Sequence, residues 1–592
     1  ADGYRAIDDQ TFTVNPDSAL DYQRLLTTIA ARHAGIQGIV HLWSLDESIP
    51  ETAEDLMQTA QQGCGSILHL VQALLHGQIQ PAGLWLVTEN AQVIKGDEPV
   101  EGFAQSTLWG MGRVIELEHP ELNAIRIDLD RAMNRQTQAA LLQAELTAPA
   151  VDEPLETQVA LRQLDEQPVR YVARLTTDAE QPSRTIAISG EATYLITGGL
   201  GGIGLEVADW LVGAGARHLL LTGRSQPKTD AQARLDALTA RGAQVTYAQV
   251  DVTDQSAMAQ LLAQIDVTKP LRGVIHSVGV LADGALFQQT WPNFAKVLWP
   301  KLIGAWHLHT LTQDMALDFF VLFSSAAGLL GNRGQANYAA ANAFLDAFAC
   351  YRHARGLPAL SISWGAWAEV GIAAELVRQT RPVMSERGMG AILPEQGIAA
   401  FAALLPQSVG QVGVIPINWT RYGALDEAQR PFFALIAGQR LRALSQPAPV
   451  ATANLLARLT ALPNDEHAAQ LTDYLRTEIA QVLGITDPER IAAQQPLFEL
   501  GLDSLMALEL KNKLQTGLGT PLRSTLVFDY PTLHGLTTYL LATLFPVITP
   551  APLKPQGTQG AATPTPEHFI PQEIDQLSGS ELLDFINQFG NA

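Results

Sequence analysis

The apolar run TYLIT (193–197) empties directly into a loop with five glycines, TGGLGGIG (197–204), and then into the helical stretch LEVADWLVGAG. Few folds accept a strand that turns through so much glycine into a helix. Glycines 198, 202 and 204 allow a tight turn and close approach of a pyrophosphate to the backbone. The helix behind them offers unpaired N–H groups and the positive end of its dipole. This context predicts a dinucleotide cradle over Thr197, Gly198, Gly199, Leu200, Gly201, Gly202, Ile203 and Gly204.

The next apolar run, LLLTGR, ends in Arg224, twenty residues past Gly204, with Ser225 beside it. An acidic residue at this place would suit the free ribose hydroxyls of NAD. An arginine suits a 2′-phosphate, which it can hold by a charge-assisted fork, so NADPH is the expected cofactor. Asp251 and Val252, after AQVTYAQV, are expected to meet the adenine.

Six apolar runs between 188 and 425 read as strands alternating with helices: ATYLITGG, RHLLLTGR, AQVTYAQVDV, LRGVIHSVG, DFFVLFSS and ALSISWG. That rhythm predicts a doubly wound parallel sheet. The first 187 residues repeat it more weakly, with strands GIVHLW (38–43), GLWLVT (83–88) and AIRIDL (124–129) and an amphipathic helix SILHLVQALLHG (66–77). No glycine-rich loop follows these strands, so this unit is expected to be structural and to hold no cofactor.

At about 150 residues per domain, 592 residues suggest roughly four domains. The 38 Lys and Arg against 60 Asp and Glu give a net charge of −22. That balance argues against nucleic-acid backbone and anionic membrane as partners. No run of 18 apolar residues predicts a membrane span, and ADGYRAIDDQ lacks the features of a signal peptide. The two cysteines, Cys64 and Cys350, form no paired motif, which fits a reducing, cytoplasmic setting. No HExxH or Cys/His cluster predicts a metal site. The absence of an initiator Met suggests a piece of a longer chain.

DFFVLFSSAAG ends a predicted strand with Ser324 and Ser325; Tyr338 follows thirteen residues after Ser325, and Asn342 shares its helix face. Lys301 comes from the earlier helix WPKLIGAWHLH. Near a nicotinamide these groups form a recognisable set. A tyrosine can give a proton to the oxygen of a carbonyl as hydride arrives. A nearby ammonium favours the phenolate and so makes the phenol a usable acid. The serine hydroxyl holds the carbonyl oxygen. The common short-chain dehydrogenase pattern is Tyr-x-x-x-Lys, and Asn stands at 342, which taken alone suggests an inactive enzyme. His276 is expected to be structural.

TGGLGGIG, LLLTGR, HSVGVLADG, PKLIGAWHLH, LFSSAAGLLGNRGQANYAAANAFLDA and SISWGAWAEVG resemble the ketoreductase domain of modular polyketide synthases. In that family the Lys and Asn exchange places, so the resemblance implies an intact catalytic tetrad of Lys301, Ser325, Tyr338 and Asn342. It implies that Lys301 also braces the ribose, that Asn342 supports Lys301 and a relay water, and that Ser277 and Gly279 join the cofactor contacts. PAGLWLVTENAQ and QSTLWGMGRVIELEHPEL resemble the family's structural subdomain, whose first strand is expected to pair with the catalytic half. Asp283, in Leu281-Ala282-Asp283, matches the final Asp of the B-type Leu-Asp-Asp motif, and Leu330 occupies the place of the A-type Trp. The resemblance therefore implies B-type stereocontrol and a D-configured 3-hydroxyl. Ala340 stands where epimerising members have Pro. Gln335 and Asn337 are expected to shape the groove for the pantetheine arm.

Asp-Ser before a helix is most often only an N-cap. LFELGLDSLMALELKNKL, however, resembles the acyl-carrier motif of polyketide synthases, which implies 4′-phosphopantetheine on Ser504 and a phosphopantetheinyl transferase as a partner. The expected fold is α/β with two tandem Rossmann-like units, then an all-α four-helix carrier and a helical tail. The expected divisions are 1–187, 188–425, a linker 426–465, the carrier 466–545, a Pro/Thr/Gly-rich tether 546–566, and a tail 567–592 with an apolar stripe at Leu582, Leu583, Phe585, Ile586 and Phe589. The tail resembles docking segments and implies a downstream synthase subunit as partner; the substrate is an acyl thioester on the carrier, and upstream synthase domains precede this segment. Two alternatives are a carrier and docking scaffold with an inactive reductase fold, and a fatty acid synthase fragment.

Overall fold

The computed structural model describes residues 3–545 except 34, 47–48, 95–97, 148–154, 165–166, 178–185, 372–373, 375–383, 386, 408, 424–429, 437–458, 461, 464–465, 484, 486, 503, 521 and 524. The side chains of residues 504, 505 and 516 also fall outside the description, as do the tether 546–566 and the tail 567–592.

Strands β1 (Arg5–Ala6) and β2 (Phe12–Thr13) form an antiparallel ribbon. A five-stranded sheet follows in the order β3 (Ile39–His41), β4 (Leu84–Glu89), β5 (Ala124–Leu129), β6 (Gln158–Leu164) and β7 (Gln167–Val172). The first four run parallel and β7 returns antiparallel on β6. The helix expected from SILHLVQALLHG spans Ser66–His76 and ends on Gly77. Strands β6 and β7 escaped the sequence reading because QVALRQL and QPVRYV carry arginines and glutamines. The structure seats Arg162 beside Asp128 (2.6 Å) in the sheet, so a charge in the strand has a buried partner.

The second sheet is all parallel, in the order β10 (Gln244–Gln249), β9 (His218–Gly223), β8 (Thr193–Thr197), β11 (Leu271–His276), β12 (Phe319–Ser325), β13 (Leu360–Trp364) and β14 (Gln411–Val414). All five residues of β8 are buried, as befits a central strand covered on both faces. Six of these strands match the predicted runs; β14 is the one the pattern missed. The order reverses between β8 and β11, so a crevice opens at the carboxyl ends of those two strands.

Among the described residues no strand of the first half joins the seven-stranded sheet: the strand expected from GIVHLW, β3, pairs with β4. Asp8 accepts from the backbone N–H groups of Gln10 and Thr11, both at 2.7 Å, and this local turn pairs β1 with β2. Helices join the halves. Thr107–Glu118 packs on Ala336–Ala354 so closely that a Cβ on Gly110 would lie 2.2 Å from the Ala339 carbonyl oxygen. Arg113 donates to the Gly328 carbonyl at 2.7 Å, and Phe103 packs among Phe344, Phe348 and Tyr351. One apolar core runs through both halves.

The segment read as a linker is in part docked. Phe432 and Phe433, in the turn Pro431–Phe433, are buried with Leu330 and Tyr422, and Phe432 accepts from the Leu175 N–H at 2.8 Å. Beyond it, helices His467–Leu483, Ser504–Leu518, Leu526–Asp529 and Leu533–Leu544 make the expected four-helix unit around buried Leu471, Leu475, Leu508, Leu514, Leu526 and Leu536. Among the described residues no helix is long and apolar enough to cross a membrane, and no cluster of side chains could hold a metal ion. Cys64 and Cys350 are unpaired.

Candidate active site

The glycine loop is a cradle that side chains would fill. Gly198 has φ +72, and a Cβ there would meet the Ser277 carbonyl oxygen at 2.8 Å. A Cβ on Gly204 would strike the Gly198 carbonyl at 2.7 Å. Helix Gly202–Gly213 starts at Gly201 with no side-chain cap, so its first N–H groups are left for an anion. Leu200 and Ile203 are half-buried along the turn, and Ser277 and Gly279 flank it from the end of β11. Thr197 is buried, with its Oγ1 2.8 Å from His276 Nδ1. These residues fit a dinucleotide.

Arg224 is exposed at the end of β9 and forms no ion pair among the described residues. Ser225 lies beside it, its carbonyl accepting from the Tyr247 hydroxyl. The Asp251 carboxylate takes the Thr253 N–H at 3.0 Å and the Thr253 hydroxyl at 2.8 Å. Val252 is buried against helix Trp291–Thr312, with its side chain beside Gly304 and its carbonyl 3.1 Å from His307 Nδ1.

The four predicted catalytic residues converge from three elements. Lys301, from helix Trp291–Thr312, is buried, donates to the Phe323 carbonyl at 2.8 Å, and sits 5.6 Å from the centre of the Tyr338 ring. Burial pulls its ammonium down to about 7, and the charge of Asp346 opposes that fall. Burial pushes the Tyr338 phenol up, while Ser325 and Asn342 beside it draw it back. Ser325 closes β12 and caps the short helix Ala326–Leu330, accepting from the Ala327 N–H at 3.2 Å. Asn342 donates to the Tyr338 carbonyl at 2.7 Å, and its Oδ1 is buried with no hydrogen-bond partner among the described residues. Such an orphan acceptor suits an ordered water or a cofactor hydroxyl.

Gln335 and Asn337 serve the neighbouring loop. Gln335 donates to Asp283 at 2.8 Å and Asn337 to the Ala282 carbonyl at 2.7 Å, so both amides fix the Leu281–Asp283 segment. His276 is fully buried and its imidazole is held neutral, its pKa drawn down to about 3 mainly by burial.

Two carboxylates escaped the sequence reading. Asp346 lies four residues past Asn342 on the same helix face. It is buried and accepts from Ser361 at 2.6 Å and Ser363 at 3.2 Å. Its spacing of eight from Tyr338 was the available signal. Glu118, from the first half, accepts from the Leu286 N–H at 2.8 Å and the Gly334 N–H at 2.6 Å. It ties Leu286, three residues past Asp283, to the turn at Gly334, and no local pattern announces that role. Ser504 opens helix Ser504–Leu518; its side chain is outside the described residues.

Family models match in three places. Residues 10–175 match the Rossmann fold domain of polyketide synthase extender module SpnB, 192–369 the KR domain, and 473–540 the phosphopantetheine attachment site. The chain is 37% identical over 531 residues to polyketide synthase GfsB of Streptomyces halstedii, covering 87% of this chain and 9% of that protein. It is 36% identical over 566 residues to pikromycin polyketide synthase component PikAIII of Streptomyces venezuelae, covering 93% and 34%. The chain thus spans about a third or less of these relatives. Among solved structures, an A1-type ketoreductase superposes with a TM-score of 0.63 at 31% identity, over 72% of this chain and 88% of that one. The first ketoreductase of the tylosin synthase gives 0.61 at 30% identity, over 73% and 89%.

Proposed function

Because this chain belongs to the modular polyketide synthases, as an oxidoreductase of the ketoreductase type joined to a phosphopantetheine carrier, we propose that it reduces a 3-ketoacyl thioester held on Ser504 to the 3-hydroxyacyl thioester with NADPH. NADPH, when bound, supplies the hydride; the phosphopantetheine thiol carries the acyl group as a thioester. The chain's own residues do the rest. The Tyr338 hydroxyl gives its proton to the ketone oxygen as the carbon is reduced, and the Ser325 hydroxyl orients that oxygen. The Lys301 ammonium, close beside the ring, lowers the phenol's cost of ionisation. Asn342 holds the helix turn beneath Tyr338 and offers its free Oδ1 to a relay water.

The placement of Lys301 Nζ against Tyr338 carries this reading. The test is oxidation of NADPH by the chain with a soluble 3-ketoacyl thioester. Tyr338→Phe is expected to lose about 10²-fold or more in rate while still binding cofactor; undiminished rate in that variant rejects the assignment.

The exposed Arg224, with no ion pair among the described residues, supports NADPH over NADH. Asp283, fastened by Gln335, together with Leu330 in place of a Trp, supports B-type reduction, for which chiral analysis should return the D-alcohol; the L-alcohol rejects it. Ala340, where epimerising members carry Pro, supports reduction without epimerisation. Loading of Ser504 by a phosphopantetheinyl transferase should add the mass of the arm, and Ser504→Ala should abolish the increment. The apolar stripe and acidic residues of 567–592 support docking to a downstream subunit, and deletion of that segment should stop acyl transfer to it.

A further inference from the structure

Carrier and reductase touch in this structure. The Phe528 ring, in helix Leu526–Asp529, meets Phe287 edge-on with centroids 5.3 Å apart, and Phe498 also packs on Phe528, at 5.3 Å. The Lys511 ammonium reaches a carboxylate oxygen of Glu121 at 3.3 Å, while the other oxygen faces His119 Nδ1 at 3.2 Å. Lys511 is buried there, and both carboxylate oxygens of Glu121 are engaged. Leu522 and Arg523 of the carrier line a small cavity with Leu74, Ile79 and Leu122 of the reductase.

The reductase side of this contact is built into the catalytic loops. Phe287 follows Leu286, whose N–H is held by Glu118 and whose carbonyl accepts from Gln72 at 2.9 Å. Four residues earlier stands Asp283, fixed by Gln335. Glu118 and Glu121 belong to one short strap, so the residue that anchors the substrate loop and the residue that receives Lys511 are three apart. On the carrier, Ser504 opens the helix that bears Lys511, seven residues and roughly 10 Å away along its axis. The ring pair and the ion pair set the orientation of the carrier by complementarity of shape and charge.

We infer that the carrier docks on its own reductase through Lys511 on Glu121 and Phe528 on Phe287, and that this pose presents the acyl arm to the loop bearing Asp283. The inference rests on the reading that the arm on Ser504 carries the substrate. The experiment uses the full chain loaded with a 3-ketoacyl group on Ser504 and compares single-turnover reduction in cis with reduction of a soluble 3-ketoacyl thioester. Glu121→Lys and Lys511→Glu should each slow reduction in cis by about tenfold and leave the soluble substrate within about twofold. The double swap should restore most of the lost rate. Unchanged reduction in cis in both single variants overturns the docking pose, and so does impairment that the swap fails to relieve. Zero-length carbodiimide coupling of the unmutated chain should join the Lys511 and Glu121 peptides; their absence among the coupled products also overturns it. Failure of the unmutated chain to reduce either substrate counts against the reductase reading instead.

Discussion

The Lys301 ammonium lies 5.6 Å from the centre of the Tyr338 ring and is tethered to the Phe323 carbonyl at 2.8 Å. Neither residue is near the other in sequence: a helix before β12 supplies the amine and a helix after it supplies the phenol. The amine is drawn down to about 7 by burial, so its charge is at stake near neutral pH.

In the proposed mechanism, loss of the ammonium above that pH withdraws support from the phenol. The rate of ketone reduction should therefore fall as pH rises through about 7 to 8 and be greatest on the acid side. A pH profile of kcat that climbs steadily to pH 9 would contradict this origin.

Lys301→Met keeps the length and apolar volume and removes the charge. We expect reduction to fall by about 10²-fold or more, while Tm holds or rises because a buried charge has been removed. Retention of rate within about threefold would show that the ammonium is dispensable.

Arg224→Gln should leave reduction with NADH unaltered and lower the NADPH preference by about tenfold or more, the loss of one charge-assisted bond. Steady-state kinetics with both cofactors decide it; an unshifted ratio would return Arg224 to an ordinary solvated side chain.

Gly110→Ala sets a methyl against the Ala339 carbonyl, at 2.2 Å before relaxation. The helices must part, at a cost of about 1–3 kcal/mol. Because Ala339 adjoins Tyr338, kcat should fall along with stability. Denaturant titration and turnover together test the link, which fails if stability drops and kcat does not.

Burial raises the Asp346 carboxyl to about 6 from 3.8, against the opposing hydrogen bonds of Ser361 and its neighbours. Between those values the folded chain holds a proton that the unfolded chain has released. This group's contribution to stability is thus fully present below about pH 4 and is lost as pH rises through 6. Asp346→Asn removes that slope, so the variant should gain on the natural chain by about 2–3 kcal/mol between pH 4 and 7. A constant difference across that range would place the carboxyl in a more polar setting than its partners imply.

Much of this was readable from residues in order. TYLIT before TGGLGGIG announces β8 and its cradle because strand, glycine and helix are consecutive. Tyr338 and Asn342 announce themselves by a helical spacing of four. The bringing of Lys301 to Tyr338 came from family resemblance, since the amine arrives across β12. Glu118 was invisible because its partners, Leu286 and Gly334, are backbone N–H groups roughly 170 and 220 residues away. Strands β6 and β7 were hidden by charges whose partners are distant in sequence: Arg162 meets Asp128 on β5, and Arg170 meets Glu145 on helix Arg135–Thr147. The strand expected from GIVHLW pairs with β4 rather than with the seven-stranded sheet.

The close seating of Gly110 beneath Ala339 bears on recombination. A chimaeric synthase that took residues 1–187 from one parent and 188–425 from another would bring together two surfaces with no room for a methyl at Gly110, with Glu118 and Gln72 gripping a foreign loop. Such hybrids should retain turnover only when both halves are transplanted together, so the practical unit of exchange is the pair.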